Sequence, residues 1–404
     1  MKEVLVLGAG YAGLRVVHNL QKSHENFHIT LVDQNPYHFE ATDLHEVAAG
    51  TQPKEKILYD ISDVLKPDKT TFVQDQVVSV DRENKKVLLK SGKELGFDYL
   101  VISLGFQSET FGIKGADTNA LEMVDVKSSV HILNHLHEMM RKYKETKDEN
   151  YLKIVVCGAG FTGIELLGAL VEAKPKLAEI AGVNPDKIQI YCVEAVTRLL
   201  PMFSEKLANM AVDYLTKRNI HWLTGKPIQE IKPDIVVYQD NAETKENKEL
   251  EAKTIIWTTG VSGSHVIGDS GFKERRGRVM VNKHLTDNDN ENIYIIGDVS
   301  AVMDEKTGRP FPTTGQIAMK MGDTTAKNII HQIKGEPLED FSFTSLGTVA
   351  SIGNTYALGI IMEHGFEVHG YIGSVMKKMI MNKSLLELGG TKELMAKGRF
   401  DLYH

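Results

Sequence analysis

The chain has two cysteines, Cys157 and Cys192, and they do not form a Cys-x-x-Cys pair. Two are too few for a disulfide framework, and without an adjacent dithiol the chain lacks the redox pair that disulfide or sulfide chemistry uses. Each ends an apolar strand-like run, so both read as small core residues. No apolar run approaches the ~20 residues a spanning helix needs, which excludes a helical membrane crossing. A leader pattern is missing too: the N-terminus enters a strand within three residues, and a cytoplasmic location is expected. The net charge of −7 shows no excess of basic residues, which argues against nucleic acid as a general partner. What remains is an ordinary globular composition, 42% hydrophobic and 25% charged, over 404 residues, enough for two or three domains.

The most informative stretch is the first. Val4 to Leu7 form an apolar run that enters Gly8-Ala9-Gly10-Tyr11-Ala12-Gly13; an amphipathic stretch with Leu14, Val16, Val17 and Leu20 follows, and a second apolar run, Ile29 to Val32, ends at Asp33. This spacing predicts strand, turn, helix, strand and acid. Gly8 makes the turn, Gly10 leaves room for a pyrophosphate, and Gly13 lets helix and strand pack closely. The free N–H groups and dipole at the helix start then favour a diphosphate. Asp33 lies 20 positions after Gly13, where its carboxylate can reach ribose hydroxyls.

The pattern occurs twice. Ile154 to Val156 enter Gly158-Ala159-Gly160-Phe161-Thr162-Gly163, followed by an apolar helix and a strand from Ile188 to Val193 that ends at Glu194. Each half closes with an apolar strand and a small-residue turn, at Gly105 and at Gly260. An internal repeat of a dinucleotide-binding unit accounts for both halves. Glu194 falls 31 positions after Gly163 because a segment from Lys174 to Lys187 extends the crossover. A carboxylate there favours NADH over NADPH, with Arg198 nearby as the opposing consideration. Further on, Ile293 to Ile296 leads to Gly297-Asp298, and Pro312 opens a helix through about His331. The first domain is therefore expected to be discontinuous, with the second inserted into it.

Tyr37 to Gly50 mixes His38, Glu40, Asp43, His45 and Glu46 without a metal-ligand spacing, and is read as a loop and short helix over a cofactor, with no metal assigned. Phe72 to Val80 and Lys86 to Leu89 alternate like strands of a small antiparallel layer, and Asp125 to Lys147 is a long charged helix. Near the end, Thr348 to Ile352 and Tyr356 to Ile361 predict an antiparallel pair. Ile372, Val375, Met376, Met379 and Ile380 fit one helix face, flanked by Lys377, Lys378 and Lys383. Such a stripe serves either a core or a membrane surface.

Two dinucleotide sites in one chain suit a flavin held permanently and a nicotinamide that donates hydride to it. The acceptor then remains open among a quinone, a soluble molecule and dioxygen. At this point the chain resembles the type II NADH dehydrogenases, single-subunit, non-proton-pumping NADH:quinone oxidoreductases of bacterial membranes, within the flavoproteins that carry two dinucleotide-binding domains. The resemblance rests on Val6 to Gly13, YHFEATDLHE at 37–46, GAGFTGIELLG at 158–168, IWTTGV at 256–261, IIGD at 295–298, PTTGQIA at 312–318 and the basic amphipathic C-terminus.

The resemblance implies FAD held by Gly8, Ala9, Gly10, Tyr11, Ala12, Gly13, Asp33, Gln34, Val77, Gly297, Asp298 and Gly315 to Lys320, including Gln316, Ile317 and Ala318. It implies NADH against Gly158, Gly160, Gly163, Glu165, Glu194 and Gly260. Glu165 matches the family's active-site glutamate; from the residues alone it is equally an exposed first-turn Glu on the helix dipole. Gln316 matches a glutamine on the quinone side of the flavin, where a helix-capping role is the alternative. Ile317 and Lys378 complete the quinone contacts. Gly315 and Lys320 depart from the family's Ala-Gln-x-Ala-x-Gln pattern at the acceptor side. The implied fold is α/β, with two Rossmann-like domains and a small membrane-associating C-terminal region. Its segments are 1–110 and 263–335 for FAD, 111–262 for NADH, and 336–404 for the membrane. A menaquinone-type acceptor, a peripheral place on the cytoplasmic side of the membrane and a homodimer follow from the same resemblance. A soluble NADH oxidase or flavin reductase, and a non-enzymatic NADH sensor, are the competing readings.

Overall fold

The computed structural model describes residues 1–241, 243–362 and 365–401; the final positions of the 336–404 segment lie outside it. A five-stranded parallel sheet runs in the order Ile293–Ile295, Tyr99–Ile102, Lys2–Leu7, Phe27–Asp33, Thr70–Gln74. A second sheet repeats that arrangement with Leu121–Glu122, Thr254–Trp257, Lys153–Cys157, Gln189–Glu194 and Ile220–Thr224. The strand at 293–295 thus returns to the first sheet after the second is complete.

Both central strands are buried on both faces, which is why they read as unbroken apolar runs. Leu5, Leu7, Ile29, Leu31 and Leu100 are fully buried, each contributing about 1.5–3 kcal/mol. Cys157 and Cys192 are buried as expected, on neighbouring strands but in different core clusters.

Phe72 to Val80 does not form one strand. Its first part pairs with Phe27–Asp33 as the edge of the parallel sheet, and the Asp75 N–H bonds to the Asp33 carbonyl. The chain turns at Asp75-Gln76, and Val77–Asp81 starts a separate antiparallel layer with Lys86–Leu89 and Glu94–Gly96. Alternation alone does not mark that break, because both pieces are strands.

The long helix Val126–Thr146 begins at Asp125, whose carboxylate accepts from the Ser128 N–H in a capping box, and stops at Lys147 in the left-handed region. The crossover after Gly163 is longer than usual because the helix Phe161–Ala181 runs on through Pro175 to a left-handed Gly182. The helix Gly315–Lys334 lies against Tyr11–Leu20, where Gly322 allows close approach to the Ala12 carbonyl and Arg15 pairs with Asp323 at 2.6 Å.

The C-terminal region is a three-stranded antiparallel sheet, Gly347–Ser351, Ala357–Ile361 and Phe366–His369, followed by the helix Gly370–Lys397, which breaks at Gly390. Here the structure reverses an expectation. Ile372 and Met379 are exposed, while Lys377, Lys378 and Arg399 are directed inward. Lys378 bonds to the carbonyl and carboxylate of Asp401, and Arg399 pairs with Glu46 at 2.6 Å. Lys377 and Arg399 are taken by Glu165 and Glu46 and Lys378 by Asp401 of its own segment, so these cations do not flank an outward basic face; Lys383 and Lys392 remain exposed. Among the described residues no helix is long and apolar enough to cross a membrane.

Candidate active site

In each half a carboxylate at a strand end holds a glycine turn. Asp33 Oδ2 accepts from the Ala9 N–H at 2.7 Å, and Glu194 Oε2 accepts from the Ala159 N–H at 2.7 Å. The closing turns match as well: Ser103 Oγ donates to the carbonyls of Leu7 and Gly8, and Thr258 Oγ1 to those of Cys157 and Gly158. Gly8 and Gly158 sit at φ 96 and 104. A Cβ at Gly13 or Gly163 would collide with the carbonyl oxygen of Gly8 or Gly158. Open space lies where a Cβ would stand on Gly10 and Gly160, and no side chain caps either helix start. Two uncapped helix N-termini facing open space fit two diphosphates.

Around the first cleft, burial pushes the Asp298 carboxyl up to about 6 against the pull of Arg278. Gly315 rests against the Tyr11 ring, and Thr314 caps its helix by accepting from the Ile317 N–H. Gln316 Nε2 donates to the Gly347 carbonyl at 3.1 Å, while its Oε1 is buried with no partner. An orphaned amide oxygen at a helix start is what an N–H of a flavin ring or the hydroxyl of a quinol would satisfy. Val77, Ile317 and Ala318 are buried in the first core, so their side chains do not face the cleft; Gln34 and Lys320 are exposed, and Gly297 and Gly260 are partly exposed. Lys378, expected near the quinone, is instead turned toward Asp401.

Glu165 belongs to the first turns of Phe161–Ala181 but is buried, with 6% exposure. Its Oε1 accepts from the Ser351 N–H at 3.0 Å, Ser351 Oγ at 3.1 Å and Lys377 Nζ at 2.8 Å. His45 lies 3.9 Å from the other oxygen and bonds to Ser351 Oγ. Burial raises the Glu165 carboxyl, but Lys377 and then His45, with the bonds from Lys377 and Ser351, bring it below its ordinary value. Burial lowers Lys377, and Glu165 and Asp43 more than reverse that. Burial also lowers His45. The result is a carboxylate–ammonium pair beside a neutral imidazole. Gly168 makes it possible, because a Cβ there would strike the Ile352 backbone and push the C-terminal sheet away. Among the described residues no three His, Cys, Asp or Glu side chains are grouped to hold a metal ion.

The pyridine nucleotide-disulphide oxidoreductase family model matches residues 2–322. A type II NADH:quinone oxidoreductase of Staphylococcus aureus is 42% identical over 403 residues, 99% of each chain. The chain belongs to the type II NADH:quinone oxidoreductases. An NDH2 structure from Plasmodium falciparum, solved in complex with NADH, shares the fold with a TM-score of 0.87 at 18% identity, over 98% of this chain and 97% of that one. A sulfide:quinone oxidoreductase from Aquifex aeolicus also shares it, with a TM-score of 0.78 at 23% identity over 100% and 96% of the two chains. This type II enzyme does not have the dithiol of disulfide chemistry, since its two thiols are free and buried.

Sequence reading of this type II oxidoreductase singled out Glu165 but missed Ser351, His45 and Lys377 as its partners. In the sequence Lys377 is one of three lysines that flank the apolar stripe.

Lys377→Met would leave the Glu165 carboxylate buried beside a thioether. A cost of about 3 kcal/mol is expected at neutral pH in urea unfolding. Because the folded Glu165 carboxyl lies below its ordinary value, the pair's contribution is present above the ordinary carboxylate range and is lost as pH falls through the folded value. Wild type and variant should therefore converge in acid. Equal stability at neutral pH would show that the pair contributes nothing.

Proposed function

We propose that this NADH:quinone oxidoreductase uses FAD and a menaquinone-type acceptor without pumping protons, and works as a homodimer on the cytoplasmic face of the membrane. The observation that carries the cofactor assignment is the doubled glycine turn with its carboxylate, uncapped helix start and open space. FAD would be held by Gly8 to Gly13, Asp33, Gln34, the backbone at Val77, Gly297-Asp298 and the helix start from Gly315 to Lys320. NADH would lie against Gly158, Gly160, Gly163, Glu194 and Gly260. When bound, FAD supplies the two-electron chemistry between nicotinamide and quinone.

The chain's own residues then have separate tasks. Asp33 and Glu194 fix the turns, and their second oxygens accept further backbone N–H groups, from Asn35 and Val196, which sets their orientation toward the ribose hydroxyls. Glu194 in that place repels a 2′-phosphate and favours NADH. Glu165, held ionised by Lys377, acts as an acceptor that orients the nicotinamide end. Gln316, tied to Gly347 through its amide nitrogen, keeps its oxygen for the acceptor side. Ile317 contributes through its backbone, since its side chain is in the core.

Membrane docking is supported by where the exposed apolar side chains lie. Leu346, Met362, Phe366, Tyr371, Ile372 and Met379 are all exposed, on one edge of the C-terminal sheet and the start of its helix. Leu346 and Met362 are joined by a backbone bond, and Ile372 and Met379 are two turns apart on one helix face. Such a surface inserts shallowly into the boundary of a bilayer and would bring a quinone toward the Gln316 side. A soluble oxidase has no use for it.

Gln316→Ala tests the acceptor assignment. NADH-driven bleaching of the flavin should keep its rate, and recovery of colour on adding a menaquinone analogue should slow by about fivefold to thirtyfold, the loss of about one or two kcal/mol of contact. Equal slowing of both half-reactions would remove Gln316 from the acceptor side.

Flotation with vesicles tests the docking edge. Ile372→Asp together with Met379→Asp should weaken binding by at least about tenfold, since each apolar side chain contributes up to ~1.5–3 kcal/mol. Attachment of the wild type should survive a high-salt wash, because Lys377, Lys378 and Arg399 are spent on internal pairs. Release by salt alone, or unaltered flotation of the double variant, would contradict this placement.

A further inference from the structure

One buried carboxyl, that of Glu40, takes no part in the contacts above. Glu40 is 3% exposed and sits between the first glycine helix and the C-terminal helix. Its Oε2 accepts from the Tyr11 hydroxyl at 2.8 Å and from Ser384 Oγ at 3.1 Å. His38 Nε2 lies 3.9 Å from its Oε1, and that nitrogen has no hydrogen-bond partner; the Tyr59 hydroxyl, also buried, has none either. Among the described residues no lysine or arginine forms an ion pair with Glu40. The groups facing it are Tyr11 from the glycine helix, His38 and Asp43 from its own segment, Tyr59 from the neighbouring strand and Ser384 from the C-terminal helix, with Glu393 acting on Tyr59 from beyond.

A buried carboxyl that receives hydroxyl hydrogen bonds and no cation keeps its proton, unlike Glu165, which is paired with an ammonium. The Tyr11 ring lies at the acceptor side, 3.5 Å from where a Cβ would stand on Gly315, the residue before Gln316, with its hydroxyl directed at Glu40. Tyr11 also touches solvent-exposed Thr42, whose Oγ1 is 3.5 Å from its hydroxyl.

We propose that Glu40 and Tyr11 form the proton relay that serves the quinone, with Tyr11 as the group that touches it and Glu40 as the store behind it. This rests on the reading that the quinone docks beside Gln316. The overall reaction, NADH + H⁺ + quinone → NAD⁺ + quinol, needs one proton besides the hydride. The Tyr11 hydroxyl turns its O–H from Glu40 toward a quinone oxygen; as that O–H bond breaks, the Glu40 O–H bond, now directed at the Tyr11 oxygen 2.8 Å away, breaks in turn, and the Glu40 carboxylate regains a proton from water. Burial pushes Glu40 up to about 7, opposed by the bonds from Tyr11 and Ser384. Burial, then Glu40 and Asp43, raise Tyr11 well above its ordinary value, so it passes a proton without resting as phenolate. His38, lowered to about 4 by burial, stays neutral beside them.

The test combines a direct readout of the carboxyl with the two half-reactions. Infrared titration of the whole protein should show a protonated carboxyl that ionises around pH 7 and is missing in Glu40→Gln, whose amide oxygen still accepts from Tyr11 and Ser384. Wild-type quinone reduction should fall as pH rises through 7. In Glu40→Gln it should be about a hundredfold slower and lack that limb, the lower range for loss of a general acid, with flavin reduction by NADH unchanged. Tyr11→Phe should slow the quinone step similarly while the carboxyl signal persists to higher pH. A pH limb that survives in Glu40→Gln, or a carboxyl signal ionising around pH 7 that is no smaller there than in the wild type, overturns the relay. A wild-type protein that NADH bleaches but no quinone restores overturns the docking reading, and the relay with it.

Discussion

A backbone turn that leaves no room for a Cβ, held by a carboxylate from the neighbouring strand, is the constraint from which the rest follows, and it occurs twice. The bond from the Ala9 N–H to Asp33 and the bond from the Ala159 N–H to Glu194 have the same length, and each is of the charge-assisted kind that contributes about 1.5–3 kcal/mol. Each fixes the angle at which its helix leaves the sheet. The uncapped helix starts at Gly10 and Gly160 then face the clefts with their N–H groups free. Because the final strand of the first sheet, Ile293–Ile295, is supplied after the second sheet is complete, the helix beginning at Gly315 is delivered to the first cleft. Connectivity thus places Gln316 on a helix start beside the first glycine turn and Glu165 on the helix that leaves the second.

A single buried ammonium joins this two-site body to the C-terminal region. Lys377 reaches Glu165, and the sheet that carries Ser351 closes on the same carboxylate. Pointing Lys377 and Lys378 inward forces Ile372 and Met379 outward, since they occupy the other side of the helix. The same choice of rotation that stabilises the glutamate therefore creates the apolar edge. Arg399, after the break at Gly390, clamps the far end through Glu46 and Asn354. The electrostatics around Glu165 and the exposed apolar edge are two consequences of one helix rotation.

The parts of the fold and site that were legible in the sequence are those fixed by local chemistry. Glycine spacing, apolar runs and a terminal acid state the strand, turn and helix unit without help from distant residues, and Asp125 and Lys147 bound their helix by capping rules that act over a few positions. Where distant partners decide, the sequence was mute. The split at Asp75 depends on which sheet each half joins. The rotation of the C-terminal helix depends on carboxylates at Glu165, Asp43 and Glu46, more than 200 positions away, and an amphipathic pattern with flanking lysines reads the same whichever side turns inward. His45 and Ser351 carry no local signal for the same reason, and Glu40 is one more acid in a mixed loop until the fold brings Tyr11 and Ser384 beside it.

The account stands on two occupied clefts with different cofactors, and one anaerobic absorbance titration tests that directly. Purified protein should be yellow, lose its flavin absorbance with about one equivalent of NADH per chain, and regain it when a menaquinone analogue is added. Protein that is colourless, and stays colourless after incubation with FAD and removal of the excess, would contradict it.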